Sequence, residues 1–426
     1  MKKENLLKTI VIVAIFTLAT SVNAQYVWRD INSGTNTGES RYSIFSVDNN
    51  TILGGGGLKI YKSTDKGDNW TDVHSTGANR FIKTNSGKLL AAGSKLSAST
   101  DNGDTWTEVT TVPVPSGAKV YNDIVKDNNG NLYMIGSSNS NYTVCGVYKS
   151  TDEGANWTKI TDTIISVQWM QQTPTLWSLY TEDGNTIIVS GQNSGNNNVI
   201  RTTDGGATWS SVSGFGSNKF VTRFAKKSDG TIVGAAGTAN GLYYSVDTGA
   251  SFTFVGTNAA VVYYDLLISN DTIFTAHYNF GVRAFSAVDY SDLGLVGSSA
   301  NGLSSTKIRA VAINNAGELF AASDGGQANG NKFHTTALGG GSVDIAENEI
   351  FNQLNVFPNP ANNFITIANL PENSTVRIMD VAGRIVYHTQ TTDAQVISSI
   401  DGWMNGMYFI RVESNGSVGN RKFIVQ

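Results

Sequence analysis

Arg80, Asp123, Trp177, Arg223 and Tyr263 stand at matching places in successive repeats of this 426-residue chain, each seven positions before a turn glycine or its equivalent. The same count lands on Ser43 and Ala310, with Arg41 and Arg309 close by. Guanidinium groups fork onto carboxylates and flat rings lie against sugar faces, so such a set would suit a glycan or an acidic ligand. Arg41, Arg80, Trp177, Arg223, Tyr263 and Arg309 are therefore the candidate ligand-binding residues. The competing reading is that these rim side chains pair with one another.

The elements that must position them recur. Seven times an apolar strand runs into a polar turn and returns as a second apolar strand: Ile44 to Leu53, Phe81 to Leu90, Ile124 to Tyr133, Leu179 to Ile188, Phe224 to Val233, Leu266 to Phe274 and Val311 to Phe320. A second phrase recurs five times, as Ser63-Thr-Asp65-Lys-Gly67-Asp-Asn-Trp70 and its copies centred on Asp101 with Trp106, Asp152 with Trp157, Asp204 with Trp209 and Asp247 with Phe252. In each, Asp accepts backbone N–H bonds, Gly supplies a backbone conformation closed to other residues, and the aromatic drops into an apolar layer. Strand, hairpin, strand, loop, strand, Asp turn, strand is one four-stranded sheet, and seven hairpins predict a seven-bladed β-propeller in an all-β chain. The seventh unit lacks a fourth strand after Phe333-His-Thr-Thr336. Tyr26-Val-Trp28-Arg-Asp-Ile31 copies the pattern of Asn69 to Val73, so the N-terminal strand is expected to close the ring and cover its open edge. The sixth unit has lost the Asp turn, and the seventh offers only Ser323-Asp-Gly-Gly326.

The five-fold phrase resembles the Asp-box of sialidases and related β-propellers. That resemblance implies that Asp65, Asp101, Asp152, Asp204 and Asp247, with their aromatics, are structural and lie away from the ligand-binding face. Sialidases also open on an Arg-Ile-Pro element, and here the prolines at 113, 115, 174, 358, 360 and 371 never follow Arg-Ile. As a hydrolase of that kind the chain would draw on Asp123, Glu182 and Tyr263, although no spacing forces the choice. Asp48, Asp183 and Asp229 lie in hairpin turns, where Asp serves the backbone.

The ends carry their own signals. Residues 1–24 read as a secretory signal peptide, with Lys2 and Lys3, an apolar run from Thr9 to Leu18 and a small-residue cleavage site at Val22-Asn-Ala24. Residues 25–336 form the propeller, and 337–349, with Ala337-Leu-Gly339-Gly-Gly-Ser342, a linker. Residues 350–426 alternate apolar and polar positions between turns, as a small antiparallel β-sandwich does. Their blocks Val356-Phe-Pro358-Asn-Pro360, Val376 to Tyr387, Met404 to Val412 and Arg421 to Gln426 resemble the C-terminal sorting domain of the type IX (Por) secretion system. This implies export to the outer surface or beyond, with the secretion machinery as partner.

Other chemistries find little support. Net charge is −4, with 30 basic and 34 acidic residues and no basic run, which argues against nucleic acid. His74, His277, His334 and His388 are dispersed, so no metal site is expected, nor any cofactor. Gly54-Gly-Gly-Gly57 lacks the Lys-Ser/Thr of a phosphate loop and reads as a close backbone contact. The single Cys145 forms no internal disulfide and reads as a buried small hydrophobe. The expectation is a secreted or surface propeller, monomeric, that binds a glycan or another surface protein without catalysis. The alternative is a glycoside hydrolase with a diverged site.

Overall fold

The computed structural model describes residues 26–32, 35, 39–113, 119–138, 144–161, 175–192, 199–215, 219–237, 241–255, 262–324, 331–336, 354–380, 384–414 and 417–426. The expected signal peptide and linker lie outside them. The chain divides into two compact units, 1–339 and 340–426.

Among the described residues of the first unit, the strands form seven four-stranded antiparallel sheets. The first strands of these sheets are Arg41–Ser46, Arg80–Lys83, Val120–Lys126, Thr175–Thr181, Val221–Lys226, Tyr263–Ser269 and Ile308–Ile313. Each lies against the first strand of the next sheet, and Ile308–Ile313 lies against Arg41–Ser46, so these strands surround a common axis. The second strands are buried throughout or nearly so: Leu89–Ala92, Ile232–Ala236 and Leu319–Ser323 show no exposed position. That two-sided burial explains their unbroken apolar runs.

The recurring Asp phrase builds the turn between third and fourth strands. Ser63 Oγ accepts from Gly67 N at 2.8 Å and donates to Asp65 Oδ1 at 2.6 Å, while Asp65 Oδ1 also accepts from Asn69 N at 2.9 Å. The same bonds recur at Asp101, Asp152, Asp204 and Asp247. Gly67, Gly103, Gly154, Gly206 and Gly249 all hold positive φ, the backbone state that selects glycine. The aromatic of each phrase packs between its own sheet and the preceding one. Trp106 joins Phe81 with Leu53 and Ile60, Trp157 joins Tyr148 with Leu90, and Trp70 stacks on Phe333 at 4.5 Å between centroids.

The seventh sheet takes its fourth strand from the other end of the unit. Arg29–Asp30 pairs antiparallel with Phe333–Thr335, Arg29 opposite Thr335 and Asp30 opposite His334. Trp28 beside it is buried, and its Nε1 donates to Val296 O at 2.7 Å. The four-glycine run is a close contact: a Cβ on Gly54 would lie 2.2 Å from the Phe333 ring, and one on Gly55 2.3 Å from Ala78 O. Ser323-Asp324 proves to lie between second and third strands rather than at an Asp turn, because Ser323 ends the second strand.

The second unit has a three-stranded sheet (Asn355–Phe357, Phe364–Ala368, Gln395–Ser399) and a four-stranded one (Ile385–Thr391, Ser374–Asp380, Gly406–Ser414, Ser417–Val425). Ile365, Ile367, Val376, Ile378, Ile410, Val412 and Phe423 form one buried cluster drawn from both. Alternation along each strand puts these residues on the inner faces.

Candidate functional site

The first strands do not run straight. In six of the seven sheets the register slips by one residue near the strand start, as a β-bulge. The residue before the bulge is buried in every case: Arg41, Tyr121, Leu176, Val221, Tyr263 and Ile308. The skipped residue is Tyr42, Asn122, Trp177, Thr222, Tyr264 or Arg309, and all six line one axial cavity of about 330 Å³. A bulge re-aims a side chain that the pleat would send elsewhere. The cavity is thus a product of the bulges.

Four charges make its floor. Arg223 Nη1 donates to Asp123 Oδ1 at 2.7 Å, and Arg223 Nε lies 3.6 Å from Asp265 Oδ1. Arg80 approaches the same two carboxylates less closely, at 3.6 Å from Asp123 and 3.5 Å from Asp265. Each Asp also ties its sheet to the next. Asp123 Oδ1 accepts from Ile124 N at 3.0 Å and its Oδ2 from Leu179 N at 3.0 Å, while Asp265 accepts from Leu266 N and Val311 N, both at 3.1 Å. Burial pushes the Asp123 carboxyl up to about 7 against the pull of Arg80 and these N–H donors, and burial raises Asp265 as well. Arg80 and Arg223 remain about one-fifth exposed, whereas both carboxylates are nearly covered.

The walls are aromatic and amide. Trp177 stacks on Phe220 with centroids 5.3 Å apart, Tyr42 is half-exposed, and Asn79 and Asn122 stand beside the arginines. Arg309 lies 4.1 Å over the Tyr264 ring and donates from Nη2 to Asp324 Oδ2 at 2.7 Å.

The structure therefore brings together Arg80, Asp123, Trp177, Arg223 and Arg309, and corrects three other assignments. Arg41 is fully buried, 4.4 Å over the Tyr61 ring and 3.5 Å from Glu39, so it faces away from the cavity. Tyr263 is buried against His277 and Phe285. Both sit before a bulge, on the side of the strand that packs between sheets. Glu182 follows the last residue of Thr175–Thr181, at the hairpin end opposite the cavity, and pairs with Lys226. Asp123, Glu182 and Tyr263 accordingly form no common site. Counting back from the turn failed at Tyr263 because the sixth hairpin has only Asn270 and Asp271 between its strands, against five residues in the third. Asp265, Tyr264, Tyr42, Asn79, Asn122 and Thr222 were missed. Their signal was a polar or aromatic residue recurring beside the counted position.

The Asp turns lie at the hairpin ends, where Lys66 N donates to Asn50 O and Gly205 N to Asn185 O, away from the cavity. The Thr105 hydroxyl and N–H hold Asp101 well below the usual carboxylate range, as expected of a structural acceptor. Among the described residues no cluster of metal-ligating side chains occurs.

Four-stranded sheets around an axis, joined to a separate β-sandwich, define an all-β protein of propeller sheets with an appended domain. Residues 355–426 match the family model of the secretion system C-terminal sorting domain, and residues 58–199 that of sortilin, neurotensin receptor 3. No curated protein matches the chain. Among solved structures, PorZ of Porphyromonas gingivalis, described as an essential surface component of its type-IX secretion system, is similar at 16% identity and a TM-score of 0.53. The match covers 92% of this chain, which spans 60% of the PorZ chain. YCF48 from Cyanidioschyzon merolae matches at 14% identity and a TM-score of 0.50, covering 72% of this chain and 98% of its own. YCF48 bound to D1 peptide matches at 14% and 0.50, covering 72% and 94%. At these identities the likeness is one of fold. The sorting domain marks the chain for export by type IX secretion, to the outer cell surface or beyond.

Proposed function

We propose that the first unit is a seven-bladed propeller of the Asp-box kind, closed by its N-terminal strand, that serves at the cell surface as a non-catalytic binding module for a glycan or a protein. The observation that carries this reading is the mutual neutralisation of Arg80, Arg223, Asp123 and Asp265 on the cavity floor. Glycoside hydrolysis asks for two carboxyl groups presented to the substrate. Here Asp123 and Asp265 are 2% and 3% exposed, and each has both oxygens engaged by backbone N–H groups. What the cavity offers a visitor is guanidinium, amide and ring, which are groups for holding. YCF48, similar in fold and solved bound to D1 peptide, is a precedent for ligand capture.

The test is to screen the full secreted chain against a glycan array, surface-protein extracts and chromogenic glycosides. Binding without release of reducing ends supports the reading. Release that vanishes in Asp123→Ala would overturn it in favour of a hydrolase. Sedimentation is expected to give a monomer.

A further inference from the structure

The larger sheet of the second unit turns an apolar patch outward. Along Gly406–Ser414 the core takes Tyr408, Ile410 and Val412, so the pleat sends Met407, Phe409 and Arg411 to the other face. Register gathers neighbours from the flanking strands. Met407 stands opposite Ile424, Phe409 lies between Met379 and Lys422, and Met379 stands opposite Ile385. Met407, Phe409, Ile424 and Ile385 are 40%, 41%, 43% and 52% exposed. All four strands thus feed one patch. Single exposed apolar side chains are ordinary, but a contiguous group of them with a polar border marks a contact surface.

The border is basic. Arg377 and Arg411 stand opposite each other in the next row and share Glu413, at 2.9 Å and 2.7 Å. Two guanidinium groups against one carboxylate leave positive charge over, and the exposed Lys422 adds to it. The alternative way to read a sheet is to add a strand to its edge, and both edges are blunted against that. Ile385–Thr391 is bulged where it meets Met379. Ser417–Val425 is covered near its end, where Ile424 O accepts from Ala361 N at 2.7 Å and Ile424 N donates to Asn359 Oδ1 at 3.0 Å. The face is what remains for recognition.

Residues 355–426 match the sorting domain, so the reader of this unit is the export machinery. We propose that the outer face centred on Phe409 is the surface by which the type IX secretion machinery engages the chain, through an apolar site edged by carboxylates. This inference concerns the second unit alone and stands apart from the binding-module reading.

The experiment expresses the full chain in a bacterium whose type IX system exports it, and compares the amounts outside the cell and in the periplasm. Phe409→Ser combined with Ile424→Ser should cut the exported fraction by about tenfold or more, while Phe409→Leu, which keeps the patch apolar, should export normally. Lys422→Glu reverses the border charge and should lower export by about threefold, and Lys422→Arg should not. Phe364→Ser and Ile397→Ser alter exposed side chains on the smaller sheet and should leave export unchanged. Melting temperatures of the purified full-length variants should match that of the unaltered chain. Full export of the Phe409→Ser, Ile424→Ser chain overturns the inference, as does an equal loss in the Phe364→Ser and Ile397→Ser variants. Loss of export only where the melting temperature also falls assigns the effect to folding and overturns it too. Retention of the unaltered chain in the periplasm would instead overturn the export reading itself.

Discussion

Arg223 and Asp123 meet at 2.7 Å although 100 residues separate them, and the bond joins the first strands of the fifth and third sheets across the axis. With Arg80 and Asp265 it makes the cavity floor part of what holds neighbouring sheets in register, since each Asp also accepts a backbone N–H from the following sheet.

That double role gives the floor a pH signature. Asp123 is raised by burial to about 7, above its unfolded value, so its contribution to stability is present at low pH and is lost as pH rises through 7. Its charged neighbours are Arg80, Arg223 and Asp265, the last shifted in the same direction. Stability of the first unit is expected to fall by about 1 kcal/mol between pH 6 and pH 8. Asp123→Asn should flatten that slope, and an identical slope in the variant would show that another group titrates.

The N-terminal strand supports a separate prediction. Trp28 is buried among Val282, Val296 and Leu303 and donates to Val296 O. Trp28→Ala should cost about 3–5 kcal/mol, read from denaturant unfolding of the exported chain. Loss of the same size on deleting residues 26–31 would show that strand and indole act as one clasp, whereas a neutral deletion would remove the clasp from the account.

The Asp turns predict a graded series. Asp65→Ala strips acceptors from Asn69 N, Asn69 Nδ2 and Ser63 Oγ and should cost about 1–3 kcal/mol without changing ligand affinity. Trp70→Ala removes the ring stacked on Phe333 as well and should cost about 3–5 kcal/mol. A change in affinity at unchanged stability would contradict the placement of these turns away from the cavity.

Gly54 offers a steric test. Its Cβ position lies 2.2 Å from the Phe333 ring, between the first sheet and the seventh. Gly54→Val should destabilise by about 1–3 kcal/mol or more through overpacking, and Phe333→Leu in the same chain should recover part of that loss. Thermal melts of the two single variants and the double variant read the coupling.

Local chemistry was legible without coordinates wherever it was repeated and self-contained. Ser63, Asp65, Gly67 and Asn69 satisfy one another within seven residues, so spacing alone reveals the turn. The alternation from Phe364 to Ala368 and from Val376 to Asp380 likewise declares inner faces of a sandwich. The cavity was legible only in part. Counting from the hairpin reaches Arg80, Asp123, Trp177 and Arg223, and Arg309 stands beside the counted Ala310, but Arg41 and Tyr263 face the other side of their strands and the count passes over Asp265.

The amino-acid sequence by itself determined the repeat, its turns, the sandwich and the means of export, because each follows from hydrogen bonds and periodicities closed over a few residues. Tertiary structure alone decided which side chains reach the axis. A one-residue bulge swaps the buried side of a strand for the open one, as at Tyr263 and Tyr264, and nothing local to those two tyrosines distinguishes them. It also decided that Arg80 and Arg223 share Asp123 and Asp265, an arrangement that exists only once four sheets distant in the chain converge on one axis.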